Sequence, residues 1–129
     1  MNKEVKNTYT IEATSNLGQV QIADDVVAAI AGIAAMEVEG VSSMAGTAAT
    51  TATKELIAKL GKKTLSQGVK VDVLEGIATV DMALNLKYGR NIKNTTIKVQ
   101  EKVKAAIENM TGLTVADVNI RVVGVDMPE

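Results

Sequence analysis

The residues able to do chemistry are few, and their spacing decides what they can do. Asp24 and Asp25 form an adjacent carboxylate pair, Glu37 and Glu39 a second pair two residues apart, and Ser42-Ser43 a pair of hydroxyls. Between Lys87 and Lys104 lie six bases and one acid. Adjacent carboxylates at the start of a helix point in different directions, so Asp24 reads as an N-cap and Asp25 as a favourable first-turn charge, not as an acid–base pair. Glu37 and Glu39 could grip a hard cation together with loop carbonyls, but no calcium-loop spacing surrounds them. Ser42-Ser43 lies in no glycine-flanked nucleophile elbow. Gly40 and Gly46 lack the Lys-Ser/Thr ending of a phosphate loop. The chain has no His and no Cys, which removes the commonest general base, the thiolate nucleophile and the thiolate metal site. These patterns point away from an enzyme and from a resident cofactor or metal.

The basic stretch admits a second chemistry. Lys87, Arg90, Lys93, Lys98, Lys102 and Lys104 could contact phosphates from a loop and a helix face. A nucleic-acid module of this size would also show aromatic stacking residues on strands or a Gly-x-x-Gly loop. Tyr88 beside Arg90 is the only aromatic there, and the chain holds just two, Tyr9 and Tyr88. Nucleic-acid binding is therefore the alternative reading.

The elements that position these residues follow from periodicity. With 129 residues, 47 % of them hydrophobic and 22 % charged, the chain fits one soluble domain whose core is built from Val, Ile, Leu, Ala and Met. A polar segment over 1–16 reads as a tail or an edge strand. Gly18 to Ile22 alternates as a short strand. Val26, Val27, Ile30, Ile33 and Ala34 recur at helical spacing from Asp24 to Met36, with Gly32 allowing a close neighbour. Glu37 to Val41 turns into a short strand ending at Met44. The Ala/Thr/Gly-rich stretch 45–53 is expected to be mobile. A short amphipathic helix is expected over Lys54–Leu60. Val69, Val71 and Val73 alternate with charges, Glu75-Gly76 turns, and Val80, Met82, Leu84 and Leu86 return, giving a hairpin. A long helix runs from about Asn94 to Met110, with Thr96, Val99, Val103, Ala106, Ile107 and Met110 inward and Lys98, Glu101, Lys102, Ala105 and Glu108 outward. Val118, Ile120 and Val122 make a last strand. The order is strand, helix, strand, hairpin, helix, strand: an α+β fold with two main helices on one face of a small, mostly antiparallel sheet. The domain spans 17–125, and 126–129 is a short C-terminal tail.

Charge is unevenly distributed. Residues 1–50 carry −4, 51–104 carry +6 and 105–129 carry −3, for a net charge of −1. A basic middle between acidic ends suits an anionic partner or self-association. The polar N-terminus lacks the apolar run of a secretory signal, and no apolar stretch reaches membrane-span length; a cytoplasmic protein is expected.

Five segments, taken together, resemble one family. Residues 18–26 (GQVQIADDV), 34–44 (AAMEVEGVSSM), 68–71 (GVKV), 88–89 (YG) and 110–113 (MTGL) are similar in order and spacing to the alkaline shock protein (Gls-type) family of Gram-positive bacteria. The resemblance covers about residues 17–125. It implies a cytoplasmic protein without known catalytic activity, linked to cell-envelope homeostasis and stress, some of whose members are held at the inner face of the membrane by a small membrane-anchored partner. It carries over no catalytic residues. The candidate interaction residues are Glu37, Glu39, Lys87, Tyr88, Arg90, Lys93, Lys98 and Lys102. The expected partners are a second copy of the chain and a small membrane-anchored protein, with no small-molecule substrate and membrane contact only indirect.

Overall fold

A computed structural model describes residues 8–11, 17–44 and 68–127. The expected mobile stretch at 45–53 and the expected helix at 54–60 lie outside the described residues. Along the chain come β1 (Thr8–Ile11), β2 (Val20–Ala23), α1 (Asp24–Met36), β3 (Val41–Met44), β4 (Val69–Leu74), β5 (Ile77–Lys87), α2 (Ile92–Thr111) and β6 (Thr114–Asp126). The α+β reading and its element order hold.

β5 organises the sheet. Its first half pairs antiparallel with β4, from Leu74↔Ile77 to Val69↔Met82. Its second half pairs antiparallel with β3, from Met44↔Leu84 to Val41↔Leu86. Along the other side, β6 runs parallel to the whole of β5, from Ile77↔Thr114 to Lys87↔Asp126. The α2 crossover that joins β5 to β6 is what allows this parallel ladder, the longest among the described residues. β1 and β2 form a separate antiparallel pair, so the polar residues 8–11 are a strand.

The hairpin turn is tight because Glu75 (φ 55°) and Gly76 (φ 78°) both adopt left-handed backbone, the geometry whose twist matches the flanking strands. Alternation along β5 then buries Ala78, Val80, Met82, Leu84 and Leu86 beneath the two helices. α1 answers with small residues: Val27, Ala31, Ala34 and Ala35 are buried, and Gly32 is buried among them. α2 contributes Val99, Val103 and Ile107, all fully buried. Each such branched side chain stabilises the fold by about 1.5–3 kcal/mol relative to exposure.

Several details differ from the sequence reading. Asp24 is the first helical residue of α1, and the N-cap is Ala23, which offers no side-chain cap. α2 starts earlier, capped by Asn91, whose Oδ1 accepts from the Asn94 N–H at 2.9 Å. Its inward residue at the first turn is Thr95, not Thr96, and Met110 is 70 % exposed. Thr96 instead donates its hydroxyl to the Ile92 and Lys93 carbonyls, a local bond that keeps the side chain on its own helix. Glu108, expected outward, is half-buried and accepts from the Val115 N–H at 2.9 Å. The final strand is also longer than expected, and Asp126, the first residue of the expected tail, is its last paired residue.

Candidate interaction site

The site is a corner where the α1–β3 turn meets the β5–α2 turn. Glu37 closes α1, its N–H reaching the Ile33 and Ala34 carbonyls at 3.2 Å. Val38 tucks into the core at 8 % exposure, which leaves its neighbours Glu37 and Glu39 facing solvent. Gly40 then takes φ +104°, a conformation that L side chains avoid. Its position is crowded as well: a Cβ there would stand 3.2 Å from the Thr95 methyl and 3.3 Å from Arg90 Cγ. The Gly40 carbonyl accepts from the Lys87 N–H at 2.8 Å, so the two turns are joined through backbone.

That join brings most of the candidate residues together. Arg90 reaches Glu39 at 3.1 Å, and Lys102 reaches Glu37 at 3.5 Å. Glu37, Glu39, Lys98, Glu101 and Lys102 line one shallow depression floored by Val38. Lys87 and Tyr88 stand at the same end of the sheet. The Tyr88 N–H bonds the Asp126 carbonyl at 2.9 Å, and its ring is 60 % exposed. Lys93 is the exception: it lies exposed on the first turn of α2, outside the depression. Both ion pairs are open to water, so each is worth about 0–1 kcal/mol to stability. Such pairs serve better as a charge pattern that a partner can read.

The nearby hydroxyls are engaged in structure. Ser42 donates to the Asp126 carboxylate, and Ser43 accepts from the Asn85 amide at 3.0 Å. The acceptor at Ser42 is a carboxylate and the group at Ser43 an amide donor, so neither hydroxyl meets the imidazole of the usual Ser–His pairing. Among the described residues no group of three or more acidic, His or Cys side chains could hold a metal ion, and no helix is long and apolar enough to cross a membrane.

Two features escaped the sequence reading. Thr95 is a wall of the corner, readable only as one residue in phase with Val99 and Val103. The face of the sheet away from the helices carries a second shallow depression around Ala83, lined by Lys70, Asp81, Asn119 and Arg121. Period-two alternation marks those residues as outward but does not say that they lie side by side.

Fold and corner together define a small α+β domain that presents an ion-paired surface where two turns meet. The family model for alkaline shock protein 23, described as having a cell envelope-related function, matches residues 12–127. The chain belongs to that family. It is 38 % identical over 111 residues to YqhY of Bacillus subtilis, covering 86 % of this chain and 79 % of that protein. With YloU of the same organism it shares 34 % identity over 116 residues, covering 90 % and 95 %. It is also 25 % identical over 125 residues to a stress response regulator gls24 homolog of Streptococcus pyogenes, covering 97 % and 68 %. The family is thus one of cell-envelope and stress proteins of Gram-positive bacteria.

Proposed function

We propose that this chain is a non-catalytic, cytoplasmic component of the cell-envelope stress response, a self-associating scaffold that docks on a small membrane-anchored protein at the inner face of the membrane. The observation that carries the reading is the family match along 12–127 with its cell envelope-related function. The corner supports it with a candidate docking surface. Glu37, Glu39, Arg90, Lys98 and Lys102 offer alternating charge around a buried Val38, a pattern suited to a protein partner of matching alternation. Nucleic acid is disfavoured by the same geometry. Arg90 and Lys102 are each set against a glutamate, so the basic residues do not form the continuous stripe that phosphates require.

The test is recovery of the chain from native membranes under mild crosslinking. The expected result is a membrane-associated pool released by carbonate, with one small membrane protein crosslinked to it. Glu39→Lys is expected to lower that recovery severalfold, and Glu39→Lys combined with Arg90→Glu to restore part of it. A chain found only in the soluble fraction, or salt-sensitive binding to RNA lost on Arg90→Glu and Lys93→Glu, would overturn the reading.

A further inference from the structure

β6 has one paired edge and one open edge among the described residues. Which residues face the open edge follows from one bond. The Val118 carbonyl accepts from the Gln100 side chain of α2 at 2.9 Å and so points away from β5. In a strand the N–H and C=O of one residue point to the same side and successive residues alternate. Val118, Ile120 and Val122 therefore present backbone to the open edge, while Asn119 and Arg121 present theirs to β5. Register shifts against β5 interrupt β6 between Val115 and Asp117 and again between Val122 and Gly124. Between them, 117–122 is straight and in register.

The side chains of that straight segment are self-complementary. Asp117, Asn119 and Arg121 are exposed on the face away from the helices. The side chains of Asp117 and Arg121 have no hydrogen-bond or ion-pair partner among the described residues. Resting on the self-association proposed above, we propose that two copies join their β6 edges antiparallel about a two-fold axis at Asn119. That register sets Asp117 opposite Arg121 of the second copy twice over, with Asn119 opposite itself. It makes Val118 and Ile120 the hydrogen-bonded pair, the residues whose backbone faces outward. The same side-chain pattern in a parallel pair would set like charges opposite each other, which is destabilising. Gln100 competes for this edge, because its amide holds the Val118 carbonyl that the second copy's Ile120 N–H would take.

The geometry gives a direct test. The chain has no cysteine, so Asn119→Cys introduces a lone thiol. In the proposed register it faces its own copy as a non-hydrogen-bonded pair, at about 4.5 Å between Cα atoms, within disulfide reach. Expected under mild oxidation is a covalent dimer forming at least about tenfold faster than with Asp117→Cys or with Glu75→Cys at the distant turn. By light scattering, Arg121→Asp is expected to weaken association roughly tenfold, and Asp117→Arg combined with Arg121→Asp to restore it. Gln100→Ala is expected to strengthen it. A native chain that self-associates while Asn119→Cys crosslinks no faster than Glu75→Cys would overturn this interface and leave the scaffold reading intact. A native chain that stays monomeric at tens of micromolar would overturn both, leaving the edge to a strand from another protein.

Discussion

A methyl group at position 40 would meet two obstacles at once. The backbone there sits at φ +104°, and the space a Cβ needs is already occupied by Thr95 and Arg90. Gly40→Ala is therefore expected to destabilise the fold by about 1–3 kcal/mol, read as a lower urea midpoint at unchanged slope. Arg90→Ala, by contrast, removes an exposed ion pair and is expected to shift stability by less than about 1 kcal/mol. The two substitutions touch the same corner, so their difference separates its framework from its charged surface. The sequence made Glu37 and Glu39 visible as a pair of outward acids, because Val38 between them is apolar and Gly40 ends the turn. It could not show that Arg90 and Lys102, more than fifty residues away, come to meet them. Nothing in local spacing encodes which turn lies beside which; only the β3–β5 register and the packing of α2 on α1 decide that.

At the level of elements, the β4–β5 hairpin was the clearest, since alternation and the Glu-Gly turn agree. Its one weakness is Glu75 at φ 55°, a left-handed position that Asn tolerates better. Glu75→Asn is expected to stabilise the chain by about 0.5 kcal/mol, measurable as a small rise in the urea midpoint. α2 was legible in type but not in phase at its ends. Thr95 and Thr96 are alike to a periodicity count, and the choice between them falls to which one meets Gly40. Met110 shows the same limit at the other end: the buried row Thr95, Val99, Val103 and Ile107 continues to Thr111, which bonds the Ile107 carbonyl and the Leu113 N–H and leaves Met110 off the row. Ile107 itself is fully buried, so Ile107→Ala is expected to cost about 2–5 kcal/mol in denaturant unfolding. Alternation marks only Val118, Ile120 and Val122 of β6; its full length depends on pairing with β5, a long-range property that no window of its own sequence contains.

For the whole molecule, the aliphatic composition foretells a core without aromatic anchors, and among the described residues the core is built from Leu84, Leu86, Ile107 and eight valines against a face of alanines. Helices and strands share this one core, so unfolding is expected to be a single cooperative transition, with coincident far-ultraviolet circular dichroism and hydrogen-exchange midpoints. Within it, the amides of β5 are expected to exchange slowest, since β3, β4 and β6 all hold to that strand. Exchange as rapid from Val80 and Leu84 as from β1 would show that the sheet does not have this centre.

β5 also acts as a splint. β3 and β4 lie end to end along one side of it, each fixed by its own ladder and neither paired with the other. The register of each is therefore set against β5 and not through the other strand. A single backbone cut engineered within 45–67 should leave the two halves associated, held across β5 by the β3 ladder.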